Sequence, residues 1–273
     1  MKIGFFDSGI GGVSVLAEAM EMLPDQDYLF YADVDHVPYG EKTEEEIAHY
    51  ATENARFLLS EGAQAIVVAC NTATAVAIRA LREEMPVPVI GMEPAVKPAV
   101  ELVEHSGDTG ESRKRVLVAA TPVTLRESKL RDLIDRVDRM HRVDLIPLPG
   151  LVMLAEKEQF DDAETDRYLT EALSDVDPSA YSAFVMGCTH FTYFRPLFRR
   201  HFGEAVSLID GNAGTVRRLA DVLGLRPAAP ERSADSMKVG SVSWYLSGRR
   251  VTDEEKIAYF GRLLRRTQEI RNI

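Results

Sequence analysis

The stretch AIVVACNTAT (65–74) has a near counterpart in AFVMGCTHFT (183–192), 118 residues further along the chain. Each begins as a short apolar run of the kind that forms a strand buried on both faces. Each then passes through a cysteine into polar residues suited to opening a helix, Asn71-Thr72 in one and Thr189-His190 in the other. The pairing extends outward from there. PVPVIG (86–91) matches AVSLID (205–210) at an offset of 119, KIGFFDSG (2–9) matches RVLVAATPVT (115–124) at about 114, and DYLFYAD (27–33) matches RVDLIPLP (142–149) at about 115. Four strands recurring in one order at nearly one spacing point to a duplicated α/β unit.

The expected strands are 2–6, 28–32, 65–69, 87–91, 115–119, 143–147, 183–186, 206–209 and 241–246. Helical periodicity separates them. Ile47, Tyr50, Ala51, Phe57 and Leu58 form a stripe over 44–60, and Ile257, Phe260, Leu263 and Leu264 form one over 253–270. Strands alternating with helices predict parallel sheets. The fold expected is two similar parallel-sheet α/β domains related by pseudo-symmetry, with the active site in the cleft between them. Residues 1–96 and 211–273 would form a discontinuous first domain and 97–210 the second. The Pro-, Ala- and Ser-rich stretch 226–238 reads as a loop.

Ligands of open parallel sheets bind beyond the carboxyl ends of the strands. Asp7, Cys70, Thr121 and Cys188 all fall just past an expected strand end, so they are expected to converge on that cleft with one cysteine from each side. A cysteine at a strand-to-helix turn meets free N–H groups and the positive end of a helix dipole, which favour the thiolate. His190 stands two residues from Cys188, where it can tune that thiol or shuttle its proton.

The turn Asp7-Ser8-Gly9-Ile10-Gly11-Gly12 reads as a glycine-bearing loop whose N–H groups approach a ligand. It is not a dinucleotide loop, because the sixth position counted from Gly9 is Ser14. Pro38 and Gly40 mark a second turn, after Asp33-Val34-Asp35-His36. A cysteine phosphatase is excluded, because the first arginine after Cys188 is Arg195, one position too late.

Composition narrows the partners. The 273 residues are 45% hydrophobic and 27% charged, with 32 basic and 43 acidic side chains giving a net charge of −11. That balance argues against nucleic acid and against an anionic membrane surface. No apolar run is long enough to span a bilayer, and the N-terminus lacks the pattern of a signal peptide, so a cytoplasmic protein is expected. Two cysteines 118 residues apart suggest neither a structural disulfide nor a metal site, and no metal is expected.

Taken together, FDSGIGG (6–12), PYG (38–40), ACNTA (69–73), ATPVT (120–124) and GCTH (187–190) resemble the glutamate racemase family, within the wider aspartate/glutamate racemases. The motifs span about the first 210 residues in the family's order, and YLSGRRVTDEEK (245–256) also looks familial. The resemblance implies a two-domain α/β fold and racemisation of an amino acid, glutamate, with no cofactor. It implies Cys70 and Cys188 as the acid/base pair, Asp7 assisting the first and His190 the second. It also implies substrate binding by Asp7, Ser8, Pro38, Tyr39, Gly40, Asn71, Thr72, Thr121, Thr124, Thr189 and His190. PLPGLVMLAE (147–156) resembles a family loop ending in a glutamate, here Glu156.

In such a family the product would be D-glutamate for peptidoglycan, and a second copy of the chain would be the expected partner. Two positions depart from the family pattern: Phe191-Thr192 stands where an aromatic and proline are usual, and Asp210-Gly211 where Asp-Ser is usual. Racemisation of aspartate or another amino acid, or a silent member that binds gyrase, are the alternatives.

Overall fold

The computed structural model describes residues 1–105, 114–228, 242–271 and 273. Most of the loop expected over 226–238 lies outside them. The strands are β1 (Lys2–Asp7), β2 (Asp27–Ala32), β3 (Ala65–Val68), β4 (Val89–Gly91), β5 (Arg115–Ala120), β6 (Val143–Pro147), β7 (Tyr181–Met186), β8 (Ser207–Ile209), β9 (Val242–Leu246) and β10 (Arg249–Arg250). They form a six-stranded sheet in the order β10-β9-β2-β1-β3-β4 and a four-stranded sheet in the order β6-β5-β7-β8. All pairings are parallel except β10 with β9.

The inner order β2-β1-β3-β4 is repeated by β6-β5-β7-β8, strand for strand as the sequence offsets pair them. Every expected strand forms to within two residues. The two-residue β10 is an addition, made by a turn at Ser247-Gly248. Strands buried on both faces explain the unbroken apolar runs. In β5, Leu117 and Ala119 face one core cluster, and Val116 and Val118 face another.

The helix Glu44–Ser60 begins at a reciprocal cap: Thr43 Oγ1 accepts from Glu46 N at 3.2 Å, and Glu46 Oε2 accepts from Thr43 N at 2.9 Å. It buries Ile47, Ala51, Asn54, Ala55 and Leu58, and leaves Tyr50 and Phe57 half-buried. The C-terminal helix Glu254–Ile270 buries Phe260 and Leu263 as its stripe predicts, while Ile257 faces out.

One apolar cluster runs through both sheets. Ile10, Val13 and Leu16 from the first unit share it with Leu151, Phe191 and Phe194 from the second. The two sheets are therefore joined by a common core as well as by the connections near 92–95 and 210–212.

The single tryptophan, Trp244 on β9, stacks on Phe260 with ring centroids 4.3 Å apart and an interplanar angle of 6°. Phe30 on β2 packs against both rings. This stack fastens the C-terminal helix to the sheet. Phe260→Ala should lower the free energy of unfolding by about 3–5 kcal/mol, read from urea titrations by circular dichroism. A loss below about 1 kcal/mol would show that the site collapses around the cavity.

Candidate active site

Four strand ends supply the site. β1 ends on Asp7 and leads into a 3₁₀ turn at Ile10–Gly12. Cys70 follows β3 and is itself the N-cap of the helix Asn71–Glu84, its Sγ accepting from Ala73 N at 3.4 Å. Thr121 follows β5 and caps the helix Pro122–Arg126 in the same way, its Oγ1 accepting from Thr124 N at 3.3 Å. Cys188 follows β7 and is the N-cap of the 3₁₀ helix Thr189–Phe194. The sequence assigned the capping positions to Asn71-Thr72 and Thr189-His190. The cysteines hold them instead, because each strand turns into its helix one residue earlier.

Each thiol has its own chain of polar groups. Cys188 Sγ lies 3.8 Å from His190 Nδ1, and His190 Nε2 lies 2.6 Å from Glu156 Oε1. The same carboxylate oxygen accepts from Ile10 N at 2.8 Å, so a turn of the first sheet holds the glutamate of the second. On the other side Cys70 Sγ donates to Ser8 Oγ at 3.8 Å, and Ser8 Oγ donates to Asp7 Oδ1 at 3.4 Å. Asp7 Oδ1 also accepts from Gly9 N at 3.1 Å, and its Oδ2 accepts from Thr189 Oγ1 at 3.0 Å. Asp7 therefore reaches Cys70 through Ser8 while anchoring the peptide next to Cys188.

Burial sets the charges. Loss of solvent pushes the Cys70 thiol up to about 12, and the negative charge of Asp7 and then of Cys188 adds to this against the Ala73 N–H and Ser8. The helix-end position was expected to favour a thiolate at Cys70; desolvation outweighs one N–H, and the group is a thiol. Burial also raises Asp7 above the usual carboxylate range, opposed by the charge of His190 and by the Gly9 and Thr189 hydrogen bonds. For His190, burial works toward the neutral ring. The hydrogen bonds and charges of Cys188 and Glu156 overcome it and raise the imidazole well above its ordinary value.

The glycines of the 7–12 turn have a packing role beside the one expected of them. A Cβ on Gly9 would lie 1.9 Å from Glu156 Oε1, and one on Gly11 would lie 2.4 Å from Thr189 Oγ1 and 2.7 Å from the His190 backbone nitrogen. One on Gly12 would meet Asp7 Cβ at 2.6 Å. The turn is bare so that the site residues of the second sheet can press against it.

The remaining candidate residues gather beside the thiols. Thr72, Thr121 and Thr124 form a triangle of hydroxyls with Oγ1 separations of 3.0, 3.2 and 3.0 Å, bridging the two units. Gly40 packs against Thr121, where a Cβ would come within 2.8 Å. Pro38, preceded by a cis peptide, leads into a 3₁₀ turn at Tyr39–Glu41. Asn71 is buried, and its Oδ1 has no hydrogen-bond partner.

Two further residues support the site: Asp33, which the sequence marks only as the start of the turn before Pro38, and Asn54, which no sequence pattern marks. Asp33 Oδ2 accepts from Tyr39 OH at 2.5 Å, and Asn54 Nδ2 donates to the same phenol at 3.0 Å. Asp33 directly follows β2, just past its carboxyl end, the signal that could have marked it for the site. Among the described residues no cluster of three or more His, Cys, Asp or Glu side chains is placed to hold a metal ion.

The two departures lie outside this group. Phe191 is core, and Thr192 Oγ1 donates to Thr189 O at 2.8 Å. Asp210 pairs with Arg195 at 2.5 Å and accepts from Asn212 N at 3.0 Å. Gly211 is required by close approach, since a Cβ there would lie 2.6 Å from Glu93 O.

Residues 13–219 match the Asp/Glu/Hydantoin racemase family. The chain belongs to that family. As a member it is a racemase, an isomerase. It is 45% identical over 273 residues to a glutamate racemase of Lachnospira eligens, covering 100% of both chains. It is 44% identical over 263 residues to glutamate racemase 2 of Bacillus subtilis, covering 96% of this chain and 95% of that one. The crystal structure of Escherichia coli glutamate racemase in complex with L-glutamate and the activator UDP-MurNAc-Ala superimposes with a TM-score of 0.74 at 30% identity, covering 89% of this chain and 88% of that one. No helix among the described residues is long and apolar enough to cross a membrane.

Gly11→Ala should fold yet lose activity by on the order of a hundredfold, because the added carbon pushes the Thr189–His190 peptide away from Cys188. Gly214→Ala, with open space at its Cβ, is the control and should keep full activity. In a Cys188→Ser protein, alkylation of Cys70 by iodoacetamide should still be accelerating with pH beyond about 8.5, where an ordinary thiol levels off. A plateau there would contradict a raised thiol.

Proposed function

We propose that this racemase interconverts L- and D-glutamate by passing the α-proton between Cys70 and Cys188 without a cofactor, supplying D-glutamate for peptidoglycan in the cytoplasm. The observation that carries the mechanism is the pair of separate relays, Cys70–Ser8–Asp7 and Cys188–His190–Glu156. Inversion needs a base on one face of the α-carbon and an acid on the other. The relays differ in the way that requires. Cys70 is a buried thiol, ready to give a proton, while Cys188 stands beside an imidazole that favours its cationic form and so balances a thiolate.

In one direction the Cys188 thiolate takes the α-hydrogen as a proton. The electrons of the C–H bond remain on the substrate, delocalised toward its α-carboxylate, and the Cys70 S–H delivers its proton to the opposite face. Cys70 is then the thiolate and Cys188 the thiol, so the enzyme is ready for the opposite enantiomer. Ser8, Asn71, Thr72 and Thr189 would hold the substrate through neutral dipoles, which suits a chain that is acidic overall. The unpartnered Asn71 Oδ1 is an acceptor matched to the substrate ammonium. Tyr39-Gly40, Thr121 and Thr124 would line the remainder of the pocket, and the chain would divide into its two domains near 97 and 211.

Glutamate as substrate is supported by the curated relatives, at 44–45% identity over nearly the whole chain, and by the L-glutamate bound in the Escherichia coli structure. The decisive measurement follows the circular dichroism of L-glutamate. The unaltered protein should bring the signal to zero, and Cys70→Ala and Cys188→Ala should each leave it intact, a loss of at least about a thousandfold. Full racemisation by either variant would end the two-base scheme. Loss of signal from L-aspartate in preference to L-glutamate would overturn the substrate alone.

A further inference from the structure

The segment YLSGRR was marked out by the sequence, and the proposed reaction makes no use of it. β9 and β10 pair with Leu246 opposite Arg249, leaving Ser247-Gly248 as a two-residue turn. Both turn residues are left-handed, with φ of 42° and 80°. Asn-Gly or Gly-Gly would make this turn more easily, since a serine at positive φ is strained. The serine hydroxyl has specific work to do there. Ser247 Oγ donates to Asp33 Oδ1 at 3.0 Å and accepts from Asp35 N at 3.0 Å, 214 and 212 residues away in sequence.

Asp33 is the buried hub of the loop that carries Tyr39 and Gly40. Its Oδ1 also bonds His36 Nδ1 at 2.8 Å, its Oδ2 takes the Tyr39 hydroxyl, and its N–H donates to Asp7 O at 3.0 Å. Burial and then the charge of Asp33 hold the Tyr39 phenol far above its ordinary value, so it remains the donor. The other tie between hairpin and loop is the bidentate Arg249–Asp35 pair at 2.7 and 2.8 Å, and both of its side chains are exposed. Exposed pairs contribute little. The Ser247–Asp33 contact, half-buried and made to a buried carboxylate, is the stronger tie, and a left-handed serine is tolerated for its sake.

We infer that Ser247 is a positioning residue for substrate binding: through Asp33 it fixes the Pro38–Gly40 loop against Thr121. The inference rests on the proposal that Tyr39 and Gly40 line the substrate pocket. Its role is in binding and not in proton transfer: Ser247 acts on the loop through Asp33, and neither the Asp33–Asp7 backbone contact nor the packing of Tyr39 in one core cluster with Cys70 moves a proton.

The test is Ser247→Gly, which accepts the positive φ and removes the hydroxymethyl side chain. Thermal stability should change little, since relief of the left-handed serine offsets much of the lost hydrogen bonding. Amide hydrogen exchange over 34–40 should quicken by about tenfold or more, and KM for L-glutamate should rise by about tenfold, with kcat within about twofold. Ser247→Asn, which also tolerates a left-handed backbone and carries both a donor and an acceptor, should restore much of the loss. Unchanged exchange would overturn the tether. Faster exchange with unchanged KM, or a fall in kcat alone, would overturn the positioning role. If the unaltered chain leaves L-glutamate unchanged, the reaction proposed above fails on its own account, and the exchange rates decide the tether.

Discussion

Between Gly11 and the Thr189–His190 peptide there is no room for a side chain, and much of the site depends on that contact. Because the turn after β1 is bare, Glu156 can reach the Ile10 N–H, and Thr189 can reach Asp7. These two hydrogen bonds cross from one sheet to the other and sit beside a shared apolar core containing Ile10 and Phe191. The close approach has an electrostatic consequence. It shuts water away from Asp7, His190 and both cysteines, which strengthens every charge interaction among them.

The duplicated fold supplies two equivalent strand ends, yet the two thiols are not equivalent. Cys70 caps a regular helix and leans on a serine backed by a buried aspartate. Cys188 caps a 3₁₀ turn and leans on a histidine backed by a glutamate. The difference comes from what each unit places nearby. The first offers the 7–9 turn; the second offers the helix Gly150–Glu156, whose last residue points its carboxylate back toward the turn. Symmetry in the backbone with asymmetry in the relays suits a reaction that needs an acid and a base at once.

The charge balance of the chain also acquires a local meaning. With a net charge of −11 the protein as a whole does not attract an anion. Beside the ionisable groups of the relays, Asp7, His190 and Glu156, the site offers hydroxyls, amides and backbone N–H donors, which can bind an anion by orientation and be buried at lower cost than unpaired cations.

Much of this was legible in the sequence. The offsets among 2–9, 65–74, 115–124 and 183–192 showed that one set of strands recurs in both sheets, because buried parallel strands must be unbroken apolar runs; the order in which those strands pair came from the fold. The cysteines, Asp7, Thr121 and the GCTH histidine could be placed at strand ends on that ground alone. The protonation state of Cys70 could not, because it depends on how completely water is excluded, a sum over residues distant in sequence. Nor could the purpose of Gly9 and Gly11, whose neighbours are about 150 to 180 residues away, or the part of Asp33, which becomes a hub only when β9 brings Ser247 alongside β2. The periodicities, the duplication and the chemical types at each strand end can be read from the order of residues, since these are local. Tertiary structure alone decided which groups share a proton and which side chains must be absent, since both are set by distances between segments that only folding brings together.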